Sequence, residues 1–186
     1  MRSFFAFEIH DIVKNELESL LKPIRRLFLP VRWVSINNIH LTVLFLGDVE
    51  QNVIDSVKPK LETICLETNS FNLAVEGGGF FGTKNSPKVL WAGIDGLPEY
   101  AAIFKNTIEK QFEPFGIKSE KRPFKPHLTL GRFKDRPDEK AMQKCLMELK
   151  NFKSSVFNVN KLVLFKSDLS SKGAIYTKIL TFKLDN

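Results

Sequence analysis

His40-Leu41-Thr42-Val43 recurs as His127-Leu128-Thr129-Leu130, 87 positions further along the chain. The chain holds three His and eight Thr, so two of the three His having a Thr two positions on is no accident of composition. We read the pair as a repeat. Side chains on a strand alternate between faces, so His and Thr at i and i+2 share one face while Leu41, Val43, Leu128 and Leu130 anchor the other. Two imidazoles facing one phosphate across a cleft between two equivalent lobes make a general acid–base pair, and an ordinary histidine pKa near 6.5 suits both roles. The Thr42 and Thr129 hydroxyls can donate to the non-bridging phosphate oxygens and hold the group for in-line attack. One such motif alone would read as a structural His on a half-buried strand; the repetition is what favours chemistry. A two-His metal site would call for a nearby carboxylate, and Asp48 and Asp135 follow strand ends, so neither metal nor cofactor is expected.

The surrounding elements must aim these residues. Arg2–Glu8 is a Phe-rich strand. Asp11 is placed to cap a helix reaching about Leu27, with Ile12, Leu17, Leu20, Leu21 and Ile24 as its apolar stripe and Pro23 in its last turn. Strands are expected at 32–34 and 41–46, a helix near 54–65, then strands at 71–75 and 89–94 around a Gly77-Gly78-Gly79 turn. A helix at 100–112 ends at Pro114 and Gly116. The second half repeats the plan with strand 128–133, helix 138–149, and strands at 152–159, 162–166 and 174–184. Strands mixed with intervening helices and no Pro/Gly/Ser linker predict one α+β domain over 1–186, mainly antiparallel.

Composition sets limits. A chain of 186 residues, 43% hydrophobic, can bury a core, and disorder is disfavoured. Cys65 and Cys145 fit neither a disulfide framework nor a zinc spacing, so a reducing, cytoplasmic setting is expected. Glu8, His10 and Asp11 cut short the signal-like Met1–Phe7, and no apolar run approaches the roughly 20 residues that span a bilayer. The net charge of +7 is unevenly placed. Residues 1–112 carry 12 basic and 13 acidic side chains, whereas 113–186 carry 16 and 8. Lys118, Lys121, Arg122, Lys125, Arg132, Lys134 and Arg136 bracket the second motif, which suits a phosphate-bearing partner.

With the paired motifs in place, the chain resembles the two-histidine (2H) phosphoesterase superfamily, in particular the LigT-like RNA 2',3'-cyclic phosphodiesterases, also called 2'-5' RNA ligases. The resemblance runs from Arg2-Ser3-Phe4-Phe5-Ala6-Phe7-Glu8 through Arg32-Trp33-Val34, Asn38–Val49, Pro87–Gly93 and Pro126–Arg132 to Ser167-x-Leu169 and Gly173-x-x-Tyr176. It implies a bilobal pseudo-two-fold fold, with antiparallel sheets lining a central cleft and helices packed outside. It also implies metal-independent hydrolysis of a 2',3'-cyclic phosphate on RNA to a 2'-phosphomonoester. In that scheme His127 is the base on water, His40 protonates the departing 3'-oxygen, and Thr42, Thr129 and Arg132 hold the phosphate. On the residues alone, the acid and base roles are interchangeable. Attack by an RNA 5'-hydroxyl in place of water would give ligation.

Strict alternation would turn Arg132 away from the cleft, so a bulge or strand end at Gly131 is expected to return it. Gly131 stands where Ala is common in the family, Phe81-Gly82 replaces a frequent Phe-Pro, and Leu44 stands where a Lys often sits, which removes one expected basic contact. Trp33 and Phe81 are candidates to stack on a base, and Arg122 and Lys125 to hold flanking phosphates. His10 is assigned no role. The expected partner is RNA with a 2',3'-cyclic phosphate end, tRNA fragments among the candidates; there is no membrane partner, and a monomer is expected. The rival readings are a phosphodiesterase acting on small cyclic nucleotides or an ADP-ribose cyclic phosphate, and a non-catalytic nucleotide- or RNA-binding module.

Overall fold

The computed structural model describes residues 1–117, 123–170 and 173–185. In chain order the strands and α-helices are β1 (Arg2–Glu8), α1 (Asp11–Arg25), β2 (Val31–Trp33), β3 (His40–Asp48), α2 (Gln51–Leu66), β4 (Phe71–Thr83), β5 (Ser86–Asp95), α3 (Tyr100–Lys110), β6 (His127–Phe133), α4 (Glu139–Lys150), β7 (Phe157–Val159), β8 (Lys161–Ser170) and β9 (Gly173–Lys183). The strands form one antiparallel sheet in the order β7-β4-β5-β6-β3-β1-β8-β9, with β2 added on β6.

The order is symmetric about the β6/β3 junction. Reading outward, β6, β5, β4 and β7 on one side match β3, β1, β8 and β9 on the other. Each motif strand is reached from a neighbouring strand through a helix, β1-α1-β3 with β2 inserted after the helix, and β5-α3-β6. The two pseudo-equivalent halves are joined edge to edge in this one sheet. They meet at one bridge, Leu41 opposite Leu128, at the centre of both motifs.

One face of the sheet carries the main core. Phe5, Phe7, Leu41, Leu44, Leu90, Leu128, Leu130 and Leu164 pack there against Val13, Leu17, Leu21 and Ile24 of α1 and the buried stripes of the other helices. Burial of so many large aliphatic and aromatic side chains, at about 1.5–3 kcal/mol each, is the main force holding the helices to the sheet. The opposite face keeps a second, small cluster of Phe4, Ala6, Val163 and Phe165, with Tyr176 packed on it.

Local departures from the sequence expectations have physical causes. His10, not Asp11, is the N-cap of α1; Asp11 is its first helical residue, where a negative charge meets the helix dipole. Ile12 is 67% exposed and Val13 takes its expected place in the stripe. The three glycines at 77–79 do not turn the chain. Gly77, at φ +66, sits at a bulge, and β4 runs on to Thr83. Gly78 and Gly79 are small because a Cβ there would meet the Trp91 carbonyl at 2.5 Å and the Trp91 ring at 3.0 Å. The expected strand at 152–159 shrinks to Phe157–Val159, because the 152–155 stretch spends its backbone N–H groups on Leu149, Val75 and the Glu16 carboxylate.

Two bulges decide which side chains face the second surface. Along β1, Phe5 pairs with Leu44 and Ala6 with Thr42, so Val43 is the extra residue. Along β5, Leu90 pairs with Gly131 and Trp91 with Thr129, so Leu130 is the extra residue. Val43 and Leu130 are equivalent in the repeat. Each bulge flips the alternation, so Leu44 and Gly131 turn to the core while Phe45 and Arg132 turn to the side of His and Thr. Leu44 is buried, so a lysine at that position would point into the core, and its absence removes no contact from the site.

At Gly131 the core side is full. A Cβ would meet Val31 Cγ1 at 2.3 Å and the Arg32 carbonyl at 3.1 Å. Gly131→Ala should therefore destabilise the protein by about 1–3 kcal/mol in a denaturant titration. Adding Val31→Ala should recover part of the loss; a stable single variant would contradict this packing.

Candidate active site

The Leu41–Leu128 bridge sends both leucines to the core, where each is fully buried. The same antiparallel register sets His40 level with Thr129 and Thr42 level with His127, all four on the second face. The two histidines thus sit diagonally, each beside the other motif's threonine. Neither threonine hydroxyl has a hydrogen-bond partner among the described residues, which leaves both able to donate to a ligand.

Each imidazole is fixed in the same way. His40 Nδ1 lies 2.7 Å from the Asn38 carbonyl, and His127 Nδ1 lies 2.7 Å from the Lys125 carbonyl, two residues back in both cases. A carbonyl only accepts, so each Nδ1 must donate, and each Nε2 is left to take or give a proton. Asn38 acts twice, because its side-chain amide also donates to the Ala174 carbonyl at 2.8 Å and ties β9 to the segment before His40.

Their surroundings differ. His40 stacks on Phe4 at 4.7 Å between centroids, meets Tyr176 edge-on at 5.2 Å and has Phe165 at 6.2 Å. His127 has Phe81 edge-on at 4.9 Å, and Phe81 stacks in turn on Trp91 at 5.4 Å. Burial among the aromatic rings pulls the His40 pKa down from its ordinary value to about 4; the Asn38 hydrogen bond works the other way, and the charge of His127 lowers it further. His40 is therefore neutral at pH 7 in the free protein. That His127 acts on it electrostatically places the two imidazoles in one field.

Arg132 reaches this face as the bulge requires. Its guanidinium is exposed, and its positive charge, with that of Arg2, lowers the Tyr176 pKa against the larger upward push of burial. A cavity of about 120 Å³ opens beside His40, bordered by Glu8, Asn38, Tyr176 and Lys178 among others. Neither cysteine is a rival nucleophile, since burial pushes both thiols up to about 12.

The other sequence candidates fall out as follows. Phe81 lies in the site, half-buried, as a buttress to His127. Lys125 enters through its carbonyl, while its side chain is exposed. Trp33 pairs with Gly131 on the core side, packs on the main core and carries Arg25 over its ring at 5.7 Å, so it is directed away from the motif threonines. Arg122 lies outside the described residues. The aromatic backing of His40 by Phe4, Phe165 and Tyr176 was not singled out in the sequence; its signal is period-two alternation on β1, β8 and β9, hidden among seventeen Phe.

A family model described as the 2'-5' RNA ligase superfamily matches residues 14–170. The chain belongs to that superfamily. Relatives of this superfamily member include the RNA 2',3'-cyclic phosphodiesterase of Thermotoga maritima, 29% identical over 95% of this chain and 91% of its own. That of Methanothermobacter thermautotrophicus is 24% identical over 99% of both. Among solved structures, a Thermus thermophilus protein superposes with a TM-score of 0.78 at 23% identity, covering 99% of this chain and 98% of its own. Apo LigT of Escherichia coli gives 0.75 at 21%, covering 100% and 98%. These likenesses establish the LigT-like fold. Among the described residues no helix is long and apolar enough to cross a membrane.

The low His40 pKa links to stability. Between about pH 4 and 6.5 the unfolded chain protonates this histidine and the folded protein does not, so its contribution favours unfolding increasingly as pH falls through that window. Denaturant titrations from pH 7 to pH 4 should show wild type losing up to about 3 kcal/mol more than His40→Ala. Equal pH slopes would contradict the burial-driven shift.

Proposed function

We propose that the protein hydrolyses the 2',3'-cyclic phosphate at the end of an RNA to a 2'-phosphomonoester, with the two motif histidines as acid and base. The observation that supports the reading is that the β3/β6 register sets both histidines, each anchored through Nδ1, and two threonines without a hydrogen-bond partner among the described residues on one sheet face. The names of the superfamily relatives point to the same substrate.

In this mechanism Thr42 and Thr129 donate to the non-bridging oxygens, and Arg132 offsets the charge that builds on phosphorus-bound oxygen in the transition state. His127 Nε2 takes a proton from water as the water oxygen bonds to phosphorus. The bond from phosphorus to O3' breaks in line, and His40 Nε2 gives its proton to O3', leaving a 3'-hydroxyl and a 2'-phosphate. His40 starts neutral, so it acquires that proton as the anionic phosphate settles beside it, since a nearby negative charge favours the imidazolium. Attack by a 5'-hydroxyl instead of water forms a 2'-5' linkage, and the reverse step breaks one. We further read the chain as one two-lobed domain acting as a cytoplasmic monomer on RNA fragments, those of tRNA included.

The test is incubation of the purified protein, with EDTA present, with an oligonucleotide ending in a 2',3'-cyclic phosphate. A 2'-phosphate product is expected, and His40→Ala and His127→Ala should each lower kcat/KM by about 10²–10⁴-fold. No monoester product from wild type, or full activity in both variants, would overturn the reading. The pH profile of kcat/KM should be bell-shaped, its acid limb near the free-enzyme His40 value of about 4. In the profile of kcat, which reports the bound complex, that limb should move upward.

A further inference from the structure

β2 is the one strand outside the symmetric order, and it places a second arginine beside Arg132. The register of β2 on β6 sets Arg32 directly opposite Arg132, with Val31 opposite Phe133 and Trp33 opposite Gly131. Directly opposed residues share a face. Val31, Trp33 and Gly131 belong to the core side, so Arg32 and Arg132 both stand on the face of His127 and Thr129. Both side chains are exposed, and neither has an acidic partner among the described residues. Like charges directly opposite on a sheet repel and weaken the pairing. An anion bridging two guanidinium groups turns that repulsion into attraction, and guanidinium is the side chain best shaped for bidentate phosphate.

The position suits one particular phosphate. Arg132 and Arg32 lie three residues beyond Thr129 along β6, roughly 10 Å at strand rise. A flexible guanidinium stem covers part of that span, so Arg132 can reach back to the reacting phosphate while Arg32, on the strand beyond it, stands just past that group. A 2',3'-cyclic phosphate is by its chemistry the 3' end of the chain. Any further phosphate on the same molecule therefore lies on the 5' side of the reacting nucleotide.

We propose that Arg32 forms a second phosphate subsite that binds the phosphate 5' to the nucleotide undergoing reaction, with Arg132 opposite it standing between the two phosphates. This rests on the cyclic phosphodiesterase reading and sharpens it: the preferred substrate is an end with at least one further phosphate, not a bare nucleoside cyclic phosphate. Arg32 is a binding residue for the neighbouring nucleotide. The same chemistry arrives from an internucleotide diester or from a 5'-terminal monoester.

The test is equilibrium binding, which does not depend on turnover. Three probes are compared: a nucleoside 2'-phosphate, its 5'-phosphorylated form, and a dinucleotide ending in a 2'-phosphate. Wild type should bind the dinucleotide at least about tenfold more tightly than the nucleoside 2'-phosphate, as one charge-assisted phosphate contact supplies. Arg32→Gln should lose most of that gain, while its affinity for the nucleoside 2'-phosphate falls by a clearly smaller factor. Arg32→Lys should keep part of it, because it retains charge without the bidentate fork. For the dinucleotide, the slope of log affinity against log salt should drop by about 0.7 in Arg32→Gln, one phosphate contact on a single strand. A 5'-phosphorylated mononucleotide that matches the dinucleotide assigns the subsite to phosphate charge as such; one that falls short assigns it to the diester. A wild type with no preference among the probes, or an Arg32→Gln variant weakened equally for all three, overturns the subsite. A thermal melt of Arg32→Gln no lower than wild type in phosphate-free buffer is expected, since one of two opposed like charges is gone; a lower melt would mean that Arg32 is structural. Turnover of the cyclic-phosphate oligonucleotide is scored separately, so failure of the catalytic reading is distinguishable from failure of the subsite.

Discussion

Everything at the candidate site depends on one strand contact, the antiparallel junction of β3 with β6 at Leu41 and Leu128. Sending both leucines to the core obliges the flanking histidines and threonines onto the other face. Antiparallel pairing then sets each histidine beside the other strand's threonine, a four-cornered frame that neither half could build alone. The bulges at Val43 and Leu130 complete the arrangement, since without them Phe45 and Arg132 would face the helices. Both leucines of that single bridge are fully buried, which fixes the strands against each other, and fixed geometry matters for groups proposed to hold a phosphate in line.

Pseudo-symmetry of the backbone does not extend to the electrostatics. Both imidazoles are anchored by the carbonyl two residues back, but His40 lies in a box of Phe4, Phe165 and Tyr176, whereas His127 leans on Phe81 alone among the ring contacts. Desolvation by that box lowers the proton affinity of His40 in the free protein. That shift makes an anion beside His40 a condition for the acid role proposed for it, so in the proposed mechanism substrate charge is part of the catalytic apparatus.

Much of this was legible in the residues. His-x-Thr twice at a fixed interval, each opening a strand, specified which four side chains share a face, and the first strand was read to its ends. The helices were legible from apolar spacing, though α1 rotated by one residue because a stripe containing Ile12 and one containing Val13 are nearly equivalent by pattern. What the residues hid was non-local. That the halves join directly depends on pairing between positions 41 and 128. The bulge was expected at Gly131 and falls one residue earlier, at Leu130, while Gly131 accommodates the close approach of Val31. Trp33 looked like a base-stacking side chain until the register of β2 turned it to the core, and the same register brought forward Arg32, which sequence alone left as one arginine among many. Of the basic cluster around the second motif, Lys118, Lys121 and Arg122 lie outside the described residues, and Arg132 stands on the face that carries Thr129.

The central claim is that both motif histidines address a single bound phosphate. The most direct measurement follows the imidazole carbon-bound proton resonances of His40 and His127 by NMR while a nucleoside 2'-phosphate is added, across a pH series. The account predicts that both resonances respond to the same ligand with the same affinity, and that the His40 titration midpoint climbs from about 4 toward neutrality in the complex. A ligand that moves only one of the two, or that binds tightly while the His40 midpoint stays near 4, would contradict it.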